Sequence, residues 1–164
     1  MECRRLTEDG AMLAREAIGR IKIRKNGSWP SLESIRAFLS EADSILVVAT
    51  EDGEPIGFAL AYLLDRVDGN RRMCLFYEIE VAEAHRRRGA GRAMIDALQS
   101  VCAAEGVAKM WVQTAPSNQA AAALYRSTGA REAGSEGEIV FTYPFEGRRD
   151  ESTIGEAGCR LGCE

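Results

Sequence analysis

The sequence predicts a mixed α/β fold of the α+β kind, in which a mostly antiparallel twisted sheet carries one parallel strand pair and is flanked by helices. Three observations lead there. Two β-type runs, 44–50 and 56–64, are separated by Glu51-Asp-Gly-Glu-Pro55, and Asp-Gly is the strongest short hairpin signal. A third run, 73–81, follows a polar turn around Asp68-Gly-Asn70, which makes a three-strand meander. That third run leads into an amphipathic helix and then a further strand at 109–114, and a strand–helix–strand unit implies a right-handed crossover between parallel neighbours.

The elements follow in order. Residues 2–6 read as a short strand, and Thr7 offers an N-cap oxygen to a helix with Glu8 and Asp9 in its first turn. Met12, Leu13, Ala17, Ile18 and Ile21 keep helical spacing until Asn26-Gly-Ser-Trp-Pro30 breaks it. Ser31 caps a second helix with Ile35, Phe38 and Leu39 on one face. After the meander, Met94, Ile95, Leu98, Val101 and Cys102 mark a helix from Arg92 to about Glu105, stopped by Gly106. An Ala-rich helix over 118–128 closes at Gly129, and 139–143 is a last strand. One domain over 1–146 is expected, with a polar, Gly-rich, disordered tail at 147–164.

With 164 residues, 46% hydrophobic, the chain has room for one substantial core. A net charge of −4 argues against a nucleic-acid partner and suits a cationic small molecule. The five cysteines form no C-x-x-C pair, so reduced thiols and a cytoplasmic home are expected. No apolar run is long enough to span a bilayer, and no His/Cys/Asp cluster has metal-ligand spacing, so neither membrane nor metal is expected.

The chemistry concentrates in Tyr77-Glu-Ile-Glu-Val-Ala-Glu-Ala-His-Arg-Arg-Arg-Gly-Ala-Gly-Arg92. An apolar strand runs into a basic, glycine-paired turn and then into a helix. A helix start presents unpaired N–H groups and a positive dipole end, which bind an anion such as a pyrophosphate. Gly89 and Gly91 let the backbone come close, and Arg86, Arg87 and Arg88 supply charge. A solvated charge run or a nucleic-acid patch are the alternatives for the arginines. The turn lacks the Gly-Lys-Ser/Thr of a P-loop and the third glycine of a dinucleotide fingerprint.

Arg86-x-x-Gly89-x-Gly91 between strand and helix, with Asn118 at a later helix start and Tyr125 seven residues on, resembles the acetyl-CoA-binding pattern of the GNAT (Gcn5-related) N-acetyltransferases. The resemblance covers roughly 44–143 and implies the GNAT fold, in which the parallel pair is central and splayed. It implies that the amides and side chains of Arg86, Arg87, Arg88, Gly89, Ala90, Gly91 and Arg92 grip the coenzyme A pyrophosphate. By the same resemblance Ile79, Glu80 and Val81 pair through their backbone with the pantetheine arm, Asn118 contacts that arm, and Tyr125 protonates the leaving thiolate. A homodimer pairing through the late strands is also implied. Tyr77-Glu-Ile-Glu-Val, His85-Arg-Arg, Trp111-Val-Gln and Ala123-Leu-Tyr-Arg-Ser-Thr-Gly-Ala-Arg-Glu132 look like the smaller aminoglycoside 3-N-acetyltransferases of this family. The chain departs from them at Ser127-Thr128 and at Pro116-Ser-Asn118, where those enzymes carry an apolar residue and an acidic stretch.

An amine attacks a thioester only when uncharged, so a nearby base must take its proton, and a carboxylate both does this and attracts the cation. Strand alternation places Glu78 and Glu80 on one face, together with Cys74 and Phe76. Glu78 is the first choice as base and Glu80 the second; an edge strand facing water is the alternative for both. Glu33 and Glu41 are further candidates to line a cation site. His85 reads as structural, and Cys74 as a conceivable acyl carrier without a His partner. Trp29 reads as a loop lid element and Trp111 as a core strand residue, and the segment 15–29 is expected to shape acceptor choice. The expected activity is acetyl transfer from acetyl-CoA to a small cationic amine, an aminoglycoside first. A protein N-terminus or lysine, a polyamine, an amino-sugar metabolite, or acetyl-CoA sensing without turnover are the alternatives.

Overall fold

The computed structural model describes residues 1–26, 29–69, 71–115 and 117–131. The strand expected at 139–143, the tail at 147–164, and Cys159 and Cys163 lie outside the described residues. Backbone contacts divide the chain into two compact units, Met1–Val112 and a second beginning at Gln113.

The first unit holds a five-stranded sheet in the order β1 (Glu2–Arg5), β2 (Ser44–Glu51), β3 (Glu54–Leu64), β4 (Met73–Val81), β5 (Lys109–Val112). The pairs β1–β2, β2–β3 and β3–β4 are antiparallel, and β4 runs parallel to β5. The β2–β3 hairpin turns on Asp52 (φ 53°) and Gly53 (φ 83°), the two left-handed residues that a turn matched to strand twist requires. β2 is buried along most of its length because helices cover both faces of the sheet.

On one face, Leu46, Val48 and Phe58 pack with Ala14 and Ala17 of α1 (Ala11–Asn26) and Ile35 of α2 (Leu32–Ser40). The other face receives α3 (Ala90–Ala104), whose Met94, Ile95 and Leu98 are buried. Gly57 of β3 marks how closely α3 approaches: a Cβ there would lie 2.9 Å from Met94 Cε and 3.0 Å from the Glu80 carbonyl oxygen. Among the described residues no helix is long and apolar enough to cross a membrane.

Several boundaries differ from expectation. Thr7 does not cap a helix; its hydroxyl donates to the Asp9 carboxylate, and a 3-10 turn over Glu8–Gly10 precedes α1. That hydrogen bond holds the Asp9 carboxyl below its ordinary range. α1 continues through Asn26, a far weaker breaker than the glycine after it. α3 starts at Ala90 rather than at Arg92, because Gly89 adopts φ 92° at the N-cap and so places Gly91 inside the first helical turn. β5 stops at Val112, two residues early. Ser31 does cap α2, its Oγ accepting from the Ser34 N–H at 3.0 Å.

In the second unit, α4 (Gln119–Ser127) is capped by Asn118, whose Oδ1 accepts from the Ala121 N–H at 3.1 Å. It closes through Gly129 at φ 90°, followed by the Ala130 N–H donating to the Tyr125 carbonyl at 3.0 Å.

Candidate active site

The glycine-broken turn before α3 is built from β4 outward. The Ala82 N–H donates to the Ile56 carbonyl at 2.8 Å, a 3-10 turn over Glu83–His85 reverses the chain, and Arg86 Nε donates back to the Val81 carbonyl at 3.1 Å. Arg87 (φ 59°) and Gly89 (φ 92°) are both left-handed, which curls the backbone around the start of α3. The first-turn amides of a helix have no acceptor inside it, and no side chain caps this one. A diphosphate fits such a cradle, with Arg86, Arg87 and Arg88 exposed around it.

Glu51, at the end of β2, fastens the turn from below. Its Oε1 accepts from Arg88 Nη2 at 3.0 Å, and its Oε2 lies 3.5 Å from His85 Nε2. His85 Nδ1 is buried without a partner among the described residues. The histidine thus belongs to the scaffold of the turn, as the sequence suggests.

The acidic strand departs from the expected alternation. In β4, Glu78 lies opposite Leu60 and Phe76 opposite Ala61, so Tyr77 is an extra residue and the strand bulges. Cross-strand partners share a face, and Leu60 and Ala61 point to opposite ones. Glu78 and Glu80 therefore face α1 and α2, while Cys74 and Phe76 face α3. The expectation that all four share a face is incorrect, because an extra residue resets the period of two. Cys74 is fully buried and hydrogen-bonded to Cys102; that contact and burial push its thiol well up. An acyl-carrying Cys74 beside Glu78 is ruled out by this arrangement.

β4 is an inner strand between β3 and β5, although Glu78 and Glu80 lie in its second half, which pairs with β3 alone among the described strands. Its ladder to β5 pairs Met73–Phe76 with Lys109–Val112 and ends where β5 ends, short of Ile79, Glu80 and Val81. Glu78 opens onto this region with its side chain 20% exposed, and Lys22 Nζ of α1 sits 2.8 Å from its Oε2. The Tyr77 ring stands edge-on to Tyr62, centroids 6.0 Å apart, and Tyr62 stands edge-on to Phe38 at 5.9 Å. Burial pushes the Tyr62 hydroxyl up, with Tyr77 and Glu78 adding to the effect.

Along α1, Trp29 lies on the helix at Gly19, where a Cβ would come within 2.4 Å of the indole. Arg15 reaches over the ring at 5.3 Å from its centroid and donates Nε to the Pro30 carbonyl at 3.0 Å. Met12, Leu13, Arg15, Glu16 and Trp29 line an open groove of about 310 Å³. Glu33 and Glu41 sit exposed in the first turn and at the C-cap of α2, about 12 Å apart along the helix, so they do not form one cluster. Trp111 is half-buried on β5 opposite Leu75. Tyr125 is half-buried on α4.

Sequence reasoning missed Lys22, Glu51 and Tyr62. Lys22 and Glu78 are 56 residues apart and Glu51 and Arg88 are 37, so no local pattern could pair them. The Asp-Gly hairpin that ends at Glu51 was the one available signal that β2 reaches the turn.

A mixed sheet with one parallel pair, β4–β5, and a glycine-broken turn leading into α3 is the frame of an acyl-transferring enzyme. Residues 15–130 match the profile of the Acetyltransferase (GNAT) family, and the chain belongs to that family. It is similar to the L-2,4-diaminobutyric acid acetyltransferase of Streptomyces anulatus, 32% identical over 136 residues that cover 82% of this chain and 74% of the relative. Among solved structures it resembles the aminoglycoside acetyltransferase HMB0005 from an uncultured soil metagenomic sample, with 30% identity and a TM-score of 0.69 over 86% of this chain and 98% of that one. The aminoglycoside acetyltransferase meta-AAC0020, from a similar source and in complex with trehalose, shares the fold at a TM-score of 0.77 and 22% identity over 87% of this chain and 96% of that one. The first curated relatives are matched over 66%, 74% and 53% of their own lengths.

Proposed function

We propose that this chain is an acetyl-CoA-dependent N-acetyltransferase of small cationic amines, with the 3-amino group of an aminoglycoside as the acceptor that fits best. The observation that carries this reading is the Glu78 carboxylate, set at the β4 bulge between Tyr62, Tyr77 and the end of α1 and already holding a primary ammonium. Glu78 takes the proton of the acceptor, and Glu80, two residues on and on the same face, adds negative charge. The turn from Arg86 to Arg92 holds the pyrophosphate, the backbone of Ile79, Glu80 and Val81 aligns the pantetheine arm, and Asn118 contacts it. Tyr125 gives a proton to the departing sulfur. The resemblance to HMB0005 supports an aminoglycoside; transfer to the 3-amino group rests on the sequence motifs alone.

A second acceptor, a small diamino acid, is favoured by the Streptomyces relative, which this chain matches over 82% of its length. In the same reading residues 1–146 form the transferase domain and 147–164 its tail, and the protein works as a cytoplasmic homodimer without metal. The free thiols of Cys3, Cys74 and Cys102 agree with a reducing compartment. Following thiol release from acetyl-CoA with aminoglycosides, 2,4-diaminobutyrate, polyamines and peptides tests the reading, and NMR of the product locates the acetyl group. Release with peptides but no small amine would overturn it.

A further inference from the structure

An enzyme that neutralises an ammonium at Glu78 already has one there. Lys22 Nζ lies 2.8 Å from Glu78 Oε2, with the lysine side chain 39% and the glutamate 20% exposed, so the pair is partly withdrawn from water yet open to a ligand. Tyr62 feels both charges and meets the Tyr77 ring edge-on, so two phenols border the same space. A primary ammonium on a carboxylate beside aromatic rings is what a cationic acceptor needs. α1 supplies such an ammonium from within the chain.

We propose that Lys22 is an internal acceptor, acetylated in cis at Nζ by the same site that acts on the external amine. The inference rests on the reading of Glu78 as the base. Glu78 takes one proton from the Lys22 ammonium, and the freed lone pair bonds to the carbonyl carbon of the acetyl thioester. The carbon–sulfur bond then breaks with its electrons on sulfur, and the second nitrogen proton passes to that sulfur. The products are Nε-acetyl-Lys22 and coenzyme A as thiol, and Glu78 returns its proton to water. Acetylation removes the lysine charge, so Glu78 loses its internal cation and an external ammonium no longer competes for it.

The chain has three lysines, Lys22, Lys25 and Lys109, which makes the test clean. The full chain is incubated with acetyl-CoA and no acceptor, its intact mass is followed, and peptides are mapped. One acetyl group is expected, at Lys22, appearing about tenfold or more faster than at Lys25 or Lys109 and at a rate independent of protein concentration. Lys22→Arg, which keeps a cation for Glu78, should abolish the increment. Glu78→Gln should slow labelling of Lys22 about a hundredfold while leaving the other two lysines unchanged. Equal labelling of all three lysines, or none, overturns the proposal. If Glu78→Gln also abolishes turnover of an external amine while wild-type Lys22 stays unlabelled, the internal acceptor is wrong and the base assignment stands. Full external turnover by Glu78→Gln overturns both.

Discussion

Glu51 and Glu78 reach the site from different strands and do different work there. Glu51 joins Arg88 and His85 and so holds the turn before α3 in shape. The Glu51 carboxylate and the pyrophosphate proposed for this turn compete for the Arg88 guanidinium, but the Glu51 contact also fixes the loop. Glu51→Gln should raise KM for acetyl-CoA about threefold with kcat nearly unchanged, the scale of a partly exposed ion pair, and steady-state kinetics will read the split. A fall in kcat with constant KM would contradict this tether. Glu78→Gln should lower turnover about a hundredfold at neutral pH, the ordinary contribution of a positioned base, and undiminished kcat would end that role. Glu78 was legible as an acid on a strand before a basic, glycine-paired turn, whereas Glu51 and Lys22 become visible only once the fold brings distant segments together.

At the level of elements, sequence reading succeeded where a local rule governs. Asp52-Gly53 fixed the hairpin because both positions need positive φ, and Asn118 and Ser31 cap the helices they precede. It failed at β4, because a bulge is set by pairing with β3 and leaves no mark on composition. It also misplaced the start of α3, since Gly89 is the N-cap only by virtue of its left-handed backbone. Gly57 is a further case: its side of β3 lies against Met94 and the Glu80 carbonyl, so α3 and β4 both depend on the missing Cβ. Gly57→Ala should cost about 1–3 kcal/mol in urea unfolding, since the clash involves backbone as well as the mobile methionine end. A change below about 0.5 kcal/mol would mean that Met94 swings aside and the strand does not move.

Over the whole molecule, the sheet divides a sulfur-lined side under α3 from an acid and phenol side under α1 and α2. Tyr62 on the latter side ionises less readily in the folded chain than at its ordinary value of 10.0. Its folded value is raised, so the stabilisation is complete below pH 10.0 and is lost as pH rises above that point, where the unfolded chain releases the proton first. Thermal melts between neutral and alkaline pH should show a steeper loss for wild type than for Tyr62→Phe, and parallel curves would refute the linkage. The bulge, finally, makes the chain one residue longer than its architecture needs. Because Tyr77 is the surplus, removing it leaves every remaining β4 side chain on the side it already occupies: Cys74 and Phe76 toward α3, Glu78 and Glu80 toward α1. Loss of a single codon in mid-strand, ordinarily ruinous to a sheet, should here give a protein that melts like its parent yet has lost the crease at Glu78 proposed as the site of acetyl transfer. Folding and catalysis would then be separable by a deletion rather than a substitution, and a variant without Tyr77 that either unfolds or retains full turnover would show that they are not.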